Sequence, residues 1–198
     1  MSEPSGAFVH CLEAGGVALF GADTVYGLAC DPTNPDAVER MLALKGRPAG
    51  KPAAIAYFEL DTALDGLPEL GERTRAAFRA LLPGPLTLLV ANPAGQFPLA
   101  GGGERLGVRV IDIGIAIGRP VLQSSANVAG GPDPRTLAEV PPSIRAAVDL
   151  ELDRGELPGT PSTVVDLGSF ETDGRWAVVR QGACSYASLQ VALVGSRK

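Results

Sequence analysis

Short apolar runs broken by turn-forming residues, with a few amphipathic stretches between them, set the pattern of this chain. Val17 to Phe20 reads as a buried strand, Ala53 to Tyr57 as a short one, and Leu86 to Val90 as another. Further strands are predicted over 106–110, 120–124, 148–152, 162–167 and 176–180. A first helix is expected over 6–14. A second starts at Asn34-Pro35-Asp36, where Asn can cap free amides, Pro is tolerated in the first turn and Asp complements the dipole. Ala37, Val38, Met41, Leu42 and Leu44 form its apolar face, and Lys45-Gly46 stops it. Leu70, Thr74, Phe78, Leu81 and Leu82 follow helical spacing up to Pro83-Gly84-Pro85, and helices are also predicted near 135–147 and 185–194. Residues 91–104, with Pro93, Gly95, Pro98 and three consecutive glycines from Gly101, predict a mobile loop. The class expected is α+β, a single domain built on a twisted sheet with helical cover.

Composition narrows the function classes. At 198 residues, 45% hydrophobic and 20% charged, the chain has the profile of a soluble domain with a real core. It holds 25 glycines and 17 prolines, which suits turns and closely approached backbones better than a helical bundle. No apolar run is long enough for a membrane helix, and the N-terminus lacks signal-peptide organisation. Three scattered cysteines without a CxxC pair predict neither a disulfide framework nor a zinc site, so a cytoplasmic setting is expected. The single histidine, His10, falls on the polar side of the first helix, which removes histidine triads and histidine metal clusters. A net charge of -5 argues against nucleic-acid binding as the main activity.

Four polar segments could carry chemistry. Asp23-Thr24-Val25-Tyr26-Gly27-Leu28 follows the first apolar strand and, by itself, reads equally as a turn. Lys45-Gly46-Arg47-Pro48-Ala49-Gly50-Lys51-Pro52 sets three cations on a Gly/Pro-framed loop suited to a polyphosphate, or simply to a solvated helix C-terminus. It is no Walker A loop: one residue is missing, and Pro stands where Ser or Thr would bind magnesium. Gln123-Ser124-Ser125-Ala126-Asn127 ends a strand with groups that bond a ligand edge or cap a helix. Pro161-Ser162-Thr163-Val164-Val165-Asp166-Leu167 opens a strand with two hydroxyls, and Arg180-Gln181-Gly182 ends a later one.

In order and spacing these segments resemble the YrdC/Sua5 family. That family runs Thr-(Asp/Glu)-Thr-Val-Tyr-Gly-Leu, a Lys-x-Arg-Pro loop, Trp-Pro-Gly-Pro-Leu-Thr, Val-Arg-Val-Pro, Ser-Ala-Asn, Ser-Thr-(Val/Ile)-Val-Asp and Arg-Pro-Gly. Here the matches are Asp23–Leu28, Lys45–Pro52, Leu82–Thr87, Val108–Ile111, Ser125–Asn127, Ser162–Asp166 and Arg180–Gly182, covering roughly 8–190. The resemblance implies one YrdC-like domain over 1–198, with a twisted mixed sheet of the YrdC/RibB-like type and without the extra C-terminal domain of Sua5-type members. It implies a threonylcarbamoyl-AMP synthase that combines L-threonine, bicarbonate and ATP, releases pyrophosphate, and passes its product to the machinery making t6A in tRNA.

By the same resemblance Lys45, Arg47 and Lys51 would hold the triphosphate with Mg2+ bridging its oxygens. Ser125 and Asn127 would bind the nucleotide, Arg180 would close over it, and Arg105 and Asp133 occupy further ATP positions. Thr24, Arg109, Gln123 and Ser162 would hold threonine, Arg109 through the carboxylate. No residue is assigned as acid or base, and no protein-held metal is implied. The chain departs from the pattern at Gly21-Ala22, at Ala56 where some members carry a threonine-contacting histidine, at Ile111 and Gln181 where proline is usual, and in a helix cut short over 111–119. Two other readings are an RNA-binding module of this fold, with weak tRNA contact, and a diverged carbamoyl-transfer relative. Nothing in the chain resembles the acylphosphatase or zinc-finger segments that accompany carbamoyl phosphate-using relatives.

Overall fold

The structure is a computed structural model that describes residues 3–46 and 51–195. Along the chain run α1 (Glu3–Glu13), β1 (Ala18–Gly21), β2 (Tyr26–Cys30), α2 (Pro35–Leu44), β3 (Ala54–Tyr57), α3 (Leu60–Gly66), α4 (Glu72–Leu81) and β4 (Leu86–Ala91). There follow β5 (Arg105–Val110), β6 (Val121–Ser125), α5 (Pro142–Arg145), β7 (Leu150–Leu152), β8 (Thr163–Asp166), α6 (Phe170–Asp173), β9 (Ala177–Arg180) and α7 (Tyr186–Gly195). The strands join one sheet in the order β7-β1-β2-β6-β3-β5-β4-β8-β9. It is mixed: β1/β7, β3/β5 and β4/β8 pair in parallel and the other neighbours antiparallel.

Strand alternation sorts side chains onto two faces of different character. On the first, Leu19, Leu28, Ile55, Leu88, Val108 and Leu122 share one buried cluster with Met41 of α2, Phe78 of α4 and Leu189 of α7. On the second, Phe20, Ala29, Ala56 and Val121 meet Phe8 of α1, which stands edge-on to Phe20 at 5.3 Å and to Phe58 at 5.6 Å. Burying each such ring contributes about 1.5–3 kcal/mol. The segment after β5 extends this cover through Ile111, Ile115 and Ile117, and the amide of Ala116 donates to Ser5 Oγ at 3.3 Å. The polar residues of β4, β5 and β6 on this face, Thr87, Arg109 and Gln123, fall beyond it.

Local signals account for most elements. Asn34 Oδ1 accepts from the Ala37 amide at 3.1 Å, capping α2 as the sequence predicts, and Gly46 ends it with a left-handed φ of 57°. The Asp23–Leu28 segment divides: 22–25 form the turn, while Tyr26 onward is β2, wholly buried between β1 and β6. That strand was hidden because both its faces are covered, so it shows no alternation. The helix predicted over 135–147 is instead a 3-10 turn at Leu137–Glu139 and the single turn α5. Pro141 precedes Pro142 and is held extended (ψ 132°), which breaks the helix between them. α3 and α6 were not predicted. The loop predicted as mobile, 91–104, is laced by Asn92, whose amide group bonds Gln96 and Gly103.

Asn34→Ala should lower stability by about 1 kcal/mol, because one helix-terminal amide loses its partner. A denaturant titration checks this; an unchanged midpoint would mean that the cap contributes nothing to α2.

Candidate active site

A cavity of about 310 Å3 opens on the uncovered part of the second sheet face. Eight of the residues implied by the sequence line it: Thr24, Arg109, Gln123 and Ser162 from the amino-acid set, and Arg105, Ser125, Asp133 and Arg180 from the nucleotide set. They come from β5, β6, β9, the segments before β2 and β8 and, for Asp133, the loop after β6, so only the sheet topology brings them together. Lys45, Lys51 and Asn127 stand outside the lining, and Arg47 lies outside the described residues.

Arg109 is the centre of the wall. β5 alternates, so Val108 enters the first core and Arg109 points to the opposite face, where it is 5% exposed. Its Nη2 donates to Asp23 Oδ1 at 2.5 Å and to Thr24 Oγ1 at 3.4 Å, and Nη1 donates to Gln123 Oε1 at 3.1 Å. Burial lowers the Arg109 pKa, and Arg180 adds to that, while Asp23 opposes it. An Arg this basic stays charged, so Asp23 is the counter-ion that burial demands. Among the described residues, Arg109 Nε and Asp23 Oδ2 are buried without a hydrogen-bond partner. Gly27 lets Gln123 reach its place, since a Cβ there would sit 2.6 Å from Gln123 Nε2.

Lys45, Ser125 and Asn127 form a second unit. Lys45 closes α2 and is 2% exposed. Its ammonium donates to the Ser125 carbonyl, to the Asn127 carbonyl at 2.8 Å and to Asn127 Oδ1 at 2.9 Å. Asn127 Oδ1 also accepts from Ser125 Oγ at 2.7 Å, and its Nδ2 donates to the Gly131 carbonyl at 2.6 Å. Lys45 and Asn127 thus shape the turn after β6, and Ser125 is the member presented to the cavity. Lys51 is exposed just before Pro52, which lines the cavity.

The third unit joins β8 to β9. Arg180 Nη2 donates to the Ser162 carbonyl at 2.8 Å and to Ser162 Oγ at 3.3 Å. Behind it the fully buried Thr163 hydroxyl accepts from the amides of Gly182 and Cys184, each at 3.0 Å, and donates to the Cys184 carbonyl at 2.8 Å. A Cβ on Gly182 would lie 2.2 Å from the Pro161 carbonyl, so only glycine permits this approach. Ser162 therefore faces the cavity while Thr163 ties the scaffold.

The departures from the family pattern have local explanations. The Ala22 amide bonds the Val25 carbonyl at 3.3 Å, closing the turn before β2. Ile111 donates its amide to the Tyr57 carbonyl at 2.9 Å, a bond proline could not make. Gln181 Nε2 donates to the carbonyls of Gly182 and Cys184 at 3.0 and 2.7 Å, restraining by hydrogen bonds the turn that proline would stiffen. Ala56 pairs with Arg109 across β3/β5 and is wholly buried in the α1 cluster. Sequence reasoning missed Thr87 and Ser124 as cavity-lining residues. Thr87 could have been found, because alternation with Leu86 and Leu88 places its hydroxyl on the face of Arg109.

Asp133 is the one acidic residue among the lining residues described, and no group of three potential metal ligands occurs among the described residues. This donor set suits a cation that arrives on phosphate oxygens and keeps its water, and not one held in a protein cage.

The family model described as telomere recombination, covering Sua5, YciO and YrdC, matches residues 10–182. A threonylcarbamoyl-AMP synthase of Xanthomonas campestris pv. campestris is 36% identical over 163 residues, which is 77% of this chain and 86% of that protein. The crystal structure of Pyrococcus abyssi Sua5 complexed with L-threonine superposes with a TM-score of 0.81 at 26% identity, over 95% of this chain. The alignment spans 56% of the Pyrococcus chain, so that protein is much longer. Escherichia coli YciO shares the fold, with a TM-score of 0.79 at 23% identity over 94% of this chain and 92% of its own.

Proposed function

The chain belongs to the Sua5/YciO/YrdC family, and on that premise we propose that it makes L-threonylcarbamoyl-AMP and pyrophosphate from L-threonine, bicarbonate and ATP. The observation that carries the reading is the convergence of eight family site positions, distant in sequence, on one cavity. The product is an activated carbamoyl phosphate anhydride, which the transferase machinery that modifies tRNA to t6A would consume. No helix among the described residues is long and apolar enough to cross a membrane, and the reading places the enzyme in the cytoplasm.

The residue types fit the chemistry. Threonine's amine and bicarbonate give a carbamate with loss of water. A carbamate oxygen then attacks the α-phosphorus, the bond to the β-phosphate oxygen breaks, and pyrophosphate leaves. The nucleophile is already anionic, so positioning and charge neutralisation supply most of the catalysis, and no histidine is needed. Arg109, with Thr24 and Gln123 around it, would hold the threonine carboxylate, and Ser162 would contact the same substrate. Arg105, Arg180 and Ser125 would face the nucleotide, Lys51 would add charge from the segment before β3, and Arg47 is assigned to the phosphates by the family resemblance alone. Lys45 and Asn127 would act on the nucleotide chiefly through the turn they build. Magnesium would be held by the triphosphate, with Asp133 the carboxylate nearest to hand, and would neutralise phosphate charge.

The reaction is tested by assaying pyrophosphate with ATP, bicarbonate and each amino acid in turn. Release should require all three components and favour threonine. Release that is independent of the amino acid, or equal for all of them, would contradict the assignment. Arg109→Lys should lower threonine-dependent release at least about tenfold, or about 1.4 kcal/mol, because lysine cannot reproduce a planar fork. It should also lower the melting temperature, since the pair with Asp23 is buried, while ATP affinity stays nearly constant. A destabilised variant with wild-type threonine kinetics would remove Arg109 from substrate recognition.

A further inference from the structure

We propose that Thr87 is a positioning residue for this reaction, holding the Ser162 hydroxyl so that its hydrogen points into the cavity toward an anionic oxygen of the amino-acid substrate. The proposal rests on the reading of the cavity as a threonine site. Thr87 lies on β4 between Leu86 and Leu88, both in the first core, and therefore projects to the second face, where it is 8% exposed. Its Oγ1 is 2.9 Å from Ser162 Oγ, and both residues line the cavity. The parallel pairing of β4 with β8 fixes this distance, because Thr87 lies level with Val164, and Leu86 with Thr163, the residue next to Ser162.

A serine hydroxyl has one hydrogen to give and two lone pairs to fill. One lone pair of Ser162 Oγ accepts from Arg180 Nη2 at 3.3 Å. When Thr87 donates to the other, both acceptor sites are used, and the serine hydrogen has only the cavity to go to. Ser162 then acts as a donor, matched to a carboxylate or carbamate oxygen and mismatched to an ammonium. With Thr87 as the donor of the 2.9 Å contact, Thr87 and Arg180 together polarise Ser162 Oγ, which strengthens the bond it gives. Without Thr87 the serine keeps its place on the backbone but loses its fixed sense as a donor. Thr87 thus differs from a buried threonine that merely satisfies itself within a sheet.

The test compares Thr87→Val, Thr87→Ser, Ser162→Ala and the Thr87→Val/Ser162→Ala double variant by pyrophosphate release, with KM measured separately for threonine and ATP. Thr87→Val, nearly equal in volume, should raise the threonine KM about three- to tenfold, the range expected for a lost hydrogen bond, and leave the ATP KM within about twofold. Thr87→Ser should restore most of the loss, and the double variant should be no worse than Ser162→Ala alone, because Thr87 acts through Ser162. An unchanged threonine KM in Thr87→Val, equal impairment of the serine variant, or losses that multiply in the double variant would each overturn the proposal. Melting temperatures are taken alongside, and if Thr87→Val does not fold, Thr87→Ala carries the same comparison. Wild-type protein lacking threonine-dependent release would overturn the threonine reading itself, an outcome separate from a variant failing on an active background.

Discussion

A guanidinium that is 5% exposed has to be neutralised and bonded where it stands, and much of the site can be traced to that requirement at Arg109. Asp23 supplies the charge and its neighbour Thr24 an acceptor from the turn before β2, and Gln123 supplies a second acceptor from β6. Meeting the requirement fixes the turn before β2 against β5 and β6, and it asks for glycine at position 27 so that Gln123 can fit. The guanidinium is then rigid before any ligand arrives, which lowers the ordering cost of binding. Its hydrogen-bonding capacity is only partly used, because the Nε hydrogen has no partner among the described residues.

The cavity itself follows from unequal cover of the sheet. One face is filled by α2, α4 and α7, whereas α1 and the isoleucines of 111–117 cover only part of the other. In the segment after β5, Ile111, Ile115 and Ile117 are buried in that partial cover. The polar ends of β4, β5, β6 and β8 are left to face the cavity, and Lys45 and Thr163 brace the loops around it from behind. These two braces are buried polar groups with full partner sets, as the low-dielectric interior requires.

Where local physics decided the structure, the sequence was legible. The cap at Asn34, the stop at Gly46, the break at Pro83 and the alternation through Leu106–Arg109 each depend on a few neighbouring residues. β2 was not legible as a strand, because a segment buried on both faces carries no period, and its turn-like motif masked it. The 135–147 helix failed on Pro141-Pro142, whose backbone restriction breaks it. For the site, the motifs identified the residue types, but not their division of labour. That Lys45 turns inward to the Ser125–Asn127 turn while Arg105 and Arg180 face the cavity depends on the sheet order, which no local pattern encodes. Ser124 was missed for the same reason, whereas Thr87 was within reach of the alternation along β4.

The central claim is that Arg109 recognises a carboxylate, and it can be read most directly from the ligand side. Threoninol keeps the amine and the β-hydroxyl of threonine and lacks only the carboxylate. Calorimetric titration of each into the wild-type protein, with an ATP analogue that cannot release pyrophosphate, isolates that one group. Threonine should bind at least about tenfold more tightly than threoninol, a difference of about 1.4 kcal/mol. Equal affinities for the two would show that the buried Arg109–Asp23 pair is a structural feature only and that the amino acid is held elsewhere.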